Sequence, residues 1–211
     1  MTNYKDHWNA QFSKYNYIWG KTHSKSAETA LSLFRRHKVN KILVPGSGYG
    51  RNSKLFSTSG FDVTGIEISE EAGVLAQEYD PATKVYNGSF LDDNFVQAQY
   101  GGIYCFNVLH LFLKADRTVF INKCSQVLIK NGFMFFTVIS DQDESFGQGK
   151  EIEKNTFAVK PDKILHFFTL DDLKEHFKEF DILETGSLED QVTHTLYGMK
   201  SYKIRYIFLC S

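Results

Sequence analysis

Residues 41–53 read K-I-L-V-P-G-S-G-Y-G-R-N-S, an apolar run that passes directly into three alternating glycines. The segment Lys41–Pro45 has the composition of a buried strand, and the residues after the glycines have that of a helix. Gly46, Gly48 and Gly50 suit the turn between them, because glycine adopts positive φ and lets the backbone approach a ligand closely. The stretch therefore predicts a strand, a tight turn and a helix, with a ligand site at the turn.

The rest of the chain alternates short apolar runs with longer windows of helical periodicity. Such alternation is typical of an α/β domain built around a largely parallel sheet. By contrast, the segment 141–163 is polar and irregular, which predicts a lid-like loop. Helices are expected at residues 51–59, 70–79, 116–129 and from Thr169, and strands at residues 41–45, 61–67, 84–86, 102–107, 132–140, 180–184 and 202–210.

The composition is that of an ordinary globular protein, with 211 residues, 42% hydrophobic side chains and a formal net charge of -1. No basic run is present, so we expect no nucleic-acid partner. The longest nearly apolar stretch, residues 103–113, is too short for a membrane span, and the start has no signal-peptide core. We therefore expect a cytoplasmic protein with no membrane partner. The cysteines and histidines lack metal-ligand spacing, which predicts no metal site.

Glu67 ends the second predicted strand, 17 residues after Gly50. At about this distance an acidic side chain can accept both hydroxyl hydrogens of an adenosine ribose. Arg51 stands at the sixth position of the G-x-G-x-x-G dinucleotide fingerprint, where a side chain hinders close approach to a pyrophosphate. A nucleoside ligand is indicated, and an NAD(P)-dependent oxidoreductase stays open as one alternative.

Three further segments follow the glycine turn in order: V-T-G-I-E-I-S, Y-N-G-S-F and G-I-Y-C-F-N-V-L-H-L-F. Together with the turn they resemble the class I S-adenosylmethionine-dependent methyltransferases over roughly residues 40–140. The G-Y-G-R-N-S turn is similar to that of the tellurite-resistance-type and thiopurine-type small-molecule methyltransferases. The resemblance implies a Rossmann-like, doubly wound α/β sheet of about seven strands, mostly parallel with an antiparallel last strand. It also implies S-adenosyl-L-methionine as the cofactor.

The resemblance assigns cofactor contacts residue by residue. Glu67 takes the ribose hydroxyls and Ile68 contacts the adenine. Ser89 stands where the family commonly has an acidic adenine contact, so Asp92 or Asp93 is an alternative for that role. The full expected set is Gly46, Ser47, Gly48, Gly50, Asn52, Glu67, Ile68, Ser89, Phe90, Asn107, Val108 and Trp19.

The resemblance and the periodicity together predict one methyltransferase domain over residues 1–211. Residues 1–38 are expected to form an aromatic amino-terminal cover and a helix, and residues 40–140 the cofactor-binding core. Residues 141–168 are expected to be a lid-like insertion, and residues 169–211 a terminal helix and strand pair. A small-molecule acceptor, in a monomer or homodimer, is the expected partner.

Several candidate acceptor-site residues follow the predicted strands or lie in the aromatic cover, since ligands bind beyond the carboxyl ends of strands in such sheets. Arg205 is a candidate for another reason, because an arginine within an apolar final strand needs a partner or an anionic ligand. His110 is the candidate catalytic residue, either as a base or by orienting the acceptor, and a packing role is equally open. A catalytically silent S-adenosylmethionine-binding protein stays open as a third function. The candidate substrate residues are Trp8, Tyr17, Asp141, His166 and Arg205.

Overall fold

Seven strands form one mixed sheet at the centre of the protein. The computed structural model describes residues 4–92, 98–160 and 163–211. The strands of this sheet are β1 (Lys41–Pro45), β2 (Asp62–Glu67), β3 (Lys84–Asn87), β4 (Tyr100–Phe106), β5 (Leu128–Ile139), β9 (Asp181–His194) and β10 (Gly198–Cys210). A second, smaller sheet consists of β6 (Lys150–Glu153), β7 (Thr156–Lys160) and β8 (Lys163–His166). The order in the seven-stranded sheet is β3-β2-β1-β4-β5-β10-β9; β10 runs antiparallel to both β5 and β9, and the other neighbouring pairs are parallel. This confirms the predicted Rossmann-like sheet.

The helices from residue 51 onward lie within a few residues of where the 3.6-residue periodicity predicts them, and two more precede them. They are α1 (Tyr4–Tyr15), α2 (Lys25–Arg36), α3 (Ser53–Thr58), α4 (Glu70–Tyr79), α5 (Lys114–Val127) and α6 (Leu170–His176), with a 3-10 turn at Leu109–Leu111. Side-chain caps fix several starts: Ser69 Oγ accepts from the Ala72 N–H, and Thr169 Oγ1 from the Asp172 N–H, both at 3.1 Å. Each cap satisfies a backbone donor that has no partner within its helix.

Helices cover both faces of the sheet, because neighbouring residues in a strand point to opposite sides. On β5, Phe135 belongs to the core that α2 and α3 form with Phe34 and Phe56. The next residue, Phe136, belongs to the opposite core, which includes Phe120 of α5. All five rings are almost completely buried. Burial of each contributes roughly 1.5–3 kcal/mol, so these two cores hold the sheet between its helical layers.

The strand order reverses at β1, which pairs with β2 on one side and with β4 on the other. In doubly wound sheets this switch point opens a crevice beyond the carboxyl ends of the strands, and ligands bind there. The glycine turn follows β1 and Asn107 follows β4 directly. The topology thus brings the two segments together at the crevice.

The insertion predicted as an irregular loop contains regular structure. Strands β6, β7 and β8 form a three-stranded antiparallel sheet between residues 150 and 166. Phe157 and Leu165 of this sheet bury their side chains with Ile139 and Phe167. The prediction of an irregular segment was wrong, because each of these strands is too short for its alternation to stand out among polar neighbours.

The last two strands are longer than predicted and extend past the edge of the core. β9 and β10 pair along their whole length, so His194 ends β9 instead of lying in a long loop. The tip of this hairpin meets the start of the chain: the Thr195 N–H donates to the Ile18 carbonyl at 3.0 Å, and Thr195 Oγ1 donates to the Tyr17 carbonyl at 3.2 Å. The hairpin and the amino-terminal segment thereby form one continuous cover.

Candidate functional site

A cavity of about 490 Å³ lies at the crevice, between the glycine turn, the segment after β4, the β9–β10 hairpin and the second sheet. Its volume falls in the range of small-molecule sites, roughly 300–1,000 Å³. Helix α1 lies over it. The cavity therefore has a floor of strand ends and walls contributed by distant parts of the chain.

The glycine turn forms the floor with backbone only. Gly46 has a φ of +68°, and a Cβ on it would overlap Cγ2 of Val108, so the two turns touch here. Gly48, with a φ of +57°, also lines the cavity. Gly50 does not: a Cβ on it would lie 3.1 Å from Cβ of Asp80, outside the cavity wall. The expected cofactor contact at Gly50 is therefore replaced by a packing role.

Glu67 is the buried carboxylate of the cavity floor, with 5% of its surface exposed. The Gly48 N–H donates to Oε2 at 2.7 Å and the Ser69 N–H to Oε1 at 2.8 Å. Burial raises the pKa of Glu67, and these backbone donors together with the Ile68 N–H oppose that rise. Each oxygen has further acceptor capacity, so the side chain can accept hydrogen bonds from a diol.

The side chains predicted to surround an adenine are in the cavity wall. Ile68, Ser89 and Phe90 all line it, and Phe90 is fixed by the Phe120 ring, with ring centroids 4.9 Å apart. Ser89 Oγ accepts the Leu91 N–H at 3.2 Å. Asp92 is exposed and lies outside the wall. Asp93, the other alternative for the adenine contact, lies outside the described residues.

Asn107 and Val108 also line the cavity, as do Ser47, Asn52 and Trp19. Asn107 adopts a φ of +55° and is held by Thr137, whose Oγ1 accepts the Asn107 N–H and donates to Oδ1, both at 3.0 Å. Asparagine tolerates this left-handed conformation better than most residues. The side chain is thus fixed at the end of β4 by its neighbour on β5.

His110 lies in the wall, but its hydrogen bond is unsuited to a base. The Ile139 N–H donates to Nδ1 at 3.1 Å. Burial, together with the neighbouring Lys163 and His166, lowers the pKa of His110 to about 3. The ring is therefore neutral near pH 7, and because Nδ1 is an acceptor, the proton is on Nε2. His110 can donate a hydrogen bond through Nε2, while the expected role as a base is not supported.

Aromatic rings of the amino-terminal segment cover the cavity. Tyr4, Trp8, Phe12 and Trp19 line it, and the Trp8 and Trp19 rings lie 5.7 Å apart. Tyr17, expected to contact substrate, is outside the wall and packs instead against the rings of neighbouring tyrosines. The aromatic density that predicted a cover is thus shared between the cavity and a structural cluster.

Three other predicted substrate residues have structural partners instead. Arg205 Nη2 donates to Asp141 at 2.7 Å and its Nε to the Phe168 carbonyl at 3.0 Å. His166 contacts Thr156 Oγ1 at 2.8 Å and an Asp172 carboxylate oxygen at 2.7 Å. None of Asp141, His166 and Arg205 lines the cavity, and each is paired with another residue of the fold instead.

Several wall residues were not predicted. Tyr49, within the glycine turn, is buried and its hydroxyl donates to the Gly20 carbonyl. An aromatic residue between alternating glycines was a signal for it. The β9–β10 hairpin and the second sheet gave no such signal, since their residues reach the cavity only through long-range pairing. The unpredicted wall residues from these regions include Asp190, Val192, Tyr202, Ile204, Val159, Lys160, Lys163 and Leu165.

Comparison with known proteins identifies the family. Residues 19–182, well over half of the chain, match the model of a methyltransferase domain. The chain belongs to this methyltransferase family. The protein is an S-adenosylmethionine-dependent methyltransferase, and the comparisons give no support to an oxidoreductase or a catalytically silent protein. No curated protein matches the chain at the level of sequence.

Solved structures share the fold. TehB from Haemophilus influenzae has 18% identity and a TM-score of 0.67 over 97% of this chain and 67% of its own. The 1,6-didemethyltoxoflavin-N1-methyltransferase of Burkholderia thailandensis, solved with S-adenosylhomocysteine, has 15% identity and a TM-score of 0.71, and the match covers 98% of this chain and 86% of that one. A structure described for the conversion of a disulfide bond into a thioacetal group in echinomycin biosynthesis has 12% identity and a TM-score of 0.77, and the match covers 98% of this chain and 91% of that one.

Two further findings concern the described residues as a set. No helix among them is long and apolar enough to cross a membrane. Within the same residues, no group of three or more His, Cys, Asp and Glu side chains is arranged to hold a metal ion.

Proposed function

We propose that the cavity binds S-adenosylmethionine against Glu67 and transfers its methyl group to a small acceptor held beside it. The observation that carries the proposal is the Glu67 carboxylate, buried in the cavity floor and fixed by the Gly48 and Ser69 N–H groups. A diol is the ligand chemistry that such a carboxylate suits. The methyltransferase structure from Burkholderia thailandensis with bound S-adenosylhomocysteine supports the same cofactor.

The residues present fit this cofactor. Glu67 would take the ribose hydroxyls, and Ile68 and Phe90 would flank the adenine, with Ser89 as its hydrogen-bond partner. Side-chain-free backbone at Gly46 and Gly48 allows the close approach that a nucleoside requires. When bound, S-adenosylmethionine supplies an electrophilic methyl group attached to a positively charged sulfur.

The acceptor would lie on the side of the cavity that the 3-10 turn and the second sheet enclose. Leu111, Phe112, Ile139, Val159 and Leu165 give this side an apolar surface. Polar side chains such as Gln148, Lys160 and His110 lie beside this apolar surface, so the wall suits a compact acceptor with both apolar and polar groups. We therefore favour a small molecule over a nucleic acid, acted on by a monomer or homodimer in the cytoplasm.

The chain promotes transfer mainly by positioning and by excluding water. The aromatic cover and the hairpin close the cavity, so an acceptor and a methyl donor would meet in a fixed orientation, which lowers the barrier without a strong base. The Nε2–H of His110 can donate a hydrogen bond to a polar atom of the acceptor. An acceptor that reacts as a neutral nucleophile fits this chemistry best.

Titration calorimetry with S-adenosylmethionine, S-adenosylhomocysteine, NADH and NADPH tests the cofactor. We expect the two adenosyl sulfur compounds to bind and to raise the melting temperature by mass action. Glu67→Ala should lower the affinity for S-adenosylhomocysteine by at least about tenfold, since hydrogen bonds to a charged group are lost. Glu71→Ala, an exposed carboxylate on α4, is the matched control and should bind normally. Unchanged affinity in Glu67→Ala would contradict the ribose assignment.

A methyl-transfer screen with radiolabelled S-adenosylmethionine tests the acceptor class. Small thiols, amines and heteroaromatic compounds form one arm of the screen, and tRNA and ribosomal RNA form the other. We expect labelled product only in the first arm. Product with RNA alone would contradict a small-molecule acceptor.

A further inference from the structure

Asp190 on β9 is a buried carboxylate in the cavity wall, with 2% of its surface exposed. Among the described residues, no donor has good hydrogen-bond geometry to either of its carboxylate oxygens, although the Lys25 backbone N–H lies close enough to act on the carboxylate. Such an arrangement is costly, because a buried anion without a well-formed hydrogen bond loses the hydration it had in the unfolded chain. Burial raises the pKa of Asp190, and the Arg51 guanidinium opposes that rise, followed by the backbone N–H and the charge of Lys25.

Arg51 lies beside it in the same wall and is 7% exposed. Its Nη2 is 4.0 Å from Oδ2 of Asp190, which is too far for a hydrogen bond. The guanidinium is fixed by other contacts: Nη1 donates to the Thr22 carbonyl at 3.3 Å, and Cζ lies 5.2 Å from the centre of the Phe106 ring. The two side chains thus present an anion and a cation to the cavity, close together without being joined.

A neighbouring anion and cation complement a zwitterion. An α-amino acid carries an ammonium group that Asp190 can accept from and a carboxylate that Arg51 can donate to, so both partners would be satisfied at once. The cofactor of the proposed function has one such amino-acid end. Phe106, against which Arg51 stacks, immediately precedes Asn107 in the cavity wall.

We propose that Asp190 and Arg51 bind the amino-acid end of S-adenosylmethionine, Asp190 through the ammonium group and Arg51 through the carboxylate. This inference rests on the proposed function and adds a second recognition site to the one at Glu67. It places one determinant of cofactor affinity on β9, 123 residues after Glu67.

The test pairs each side chain with the ligand group it would bind. Calorimetry would measure the affinities of S-adenosylhomocysteine, of its analogue without the amino group and of its analogue without the carboxylate. These titrations use the full-length protein and the variants Asp190→Asn and Arg51→Gln. Asp190→Asn should lower the affinity for S-adenosylhomocysteine by about 10- to 100-fold, and the affinity for the analogue without the amino group by less than about threefold. Arg51→Gln should show the reverse selectivity, sparing only the analogue without the carboxylate.

Asp80→Asn is the matched control, because Asp80 is equally buried but hydrogen-bonds Ser57 and Thr83 outside the cavity. It should leave all three affinities unchanged. If wild-type protein already binds S-adenosylhomocysteine and its deaminated analogue equally, no amine is recognised and the inference is wrong, whatever the stability of the variants. Equal weakening of all ligands by Asp190→Asn would likewise indicate a purely structural pair.

The outcomes separate this inference from the proposed function. If no adenosyl sulfur compound binds the wild-type protein, the proposed function fails and this inference fails with it. If S-adenosylhomocysteine binds and its affinity depends on Glu67 but not on Asp190, only this inference fails. In that case Asp190 would be open to an amine on the acceptor.

Discussion

The backbone N–H of Ile139 donates a hydrogen bond to Nδ1 of His110 at 3.1 Å, which joins the end of β5 to the turn after β4. This contact fixes the tautomer of a neutral imidazole and directs its N–H donor through Nε2. It also makes protonation of the ring expensive, since a second proton would have to displace the backbone donor from Nδ1. The histidine is thereby a pH-sensitive part of the fold.

Stability should fall as the pH drops below 6.5. Because the folded-state pKa of His110 is about 3 and the unfolded value is 6.5, the unfolded chain binds more protons between these values. The loss should be about 2 kcal/mol between pH 7 and pH 5. Urea unfolding at several pH values measures it. His110→Gln should be less sensitive to pH by about this amount. Identical slopes in the wild-type protein and the variant would contradict the assignment.

Gly46→Ala should damage both the fold and the binding of S-adenosylhomocysteine. A Cβ at this position overlaps Val108, and the positive φ adds about 1–2 kcal/mol of strain for alanine. Gly60 provides the control, since its φ is +91° but a Cβ there meets no atom within 4 Å. In urea unfolding, Gly60→Ala should lose only the free energy that the backbone strain costs. In calorimetry it should bind S-adenosylhomocysteine with normal affinity. Equal behaviour of the two variants would argue against close contact between the two turns.

Arg205→Met should destabilise the protein without weakening the cofactor. The variant removes the buried guanidinium from Asp141 and from the Phe168 carbonyl, which keep only the weaker donors Ser140 Oγ and the Asp141 N–H. We expect a loss of about 2–4 kcal/mol in the free energy of unfolding, with the affinity for S-adenosylhomocysteine within about twofold of wild type. A variant of full stability that binds ligand poorly would restore a binding role to Arg205.

Phe157→Ala should loosen the second sheet and spare the cofactor site. Phe157 packs with the Phe146 and Phe167 rings, at centroid distances of 5.6 Å and 5.9 Å. Its loss should cost about 3 kcal/mol, mostly within residues 150–166, where hydrogen exchange should become faster. Phe133→Ala, on the opposite side of the molecule's core, should leave exchange in that segment unchanged. Weaker S-adenosylhomocysteine binding in Phe157→Ala would show that the second sheet also supports the cofactor site.

The sequence was most informative where the chemistry lies in contiguous residues. The glycine turn and Glu67 could be predicted because one strand, one turn and the end of the next strand are close in the chain and need special residue types. Asp190 could not be predicted, because 139 residues separate it from Arg51. In addition, β9 carries polar residues on both faces of the sheet, so none of them stands out. Arg205 was misassigned for a related reason: a charged residue in an apolar strand indicates a partner, and only the structure shows whether that partner is protein or ligand. Asp141 was proposed from its position directly after a strand, which does not show that Arg205 binds it.

The hydrogen bonds from Thr195 to Ile18 and Tyr17 have a consequence for biosynthesis. On the ribosome, the glycine turn and Glu67 emerge long before the hairpin that closes the cavity. The enclosed cavity needs a contact between the hairpin and residues that are made much earlier. Shielding of a reactive methyl donor from water therefore arises later in synthesis than the glycine turn does.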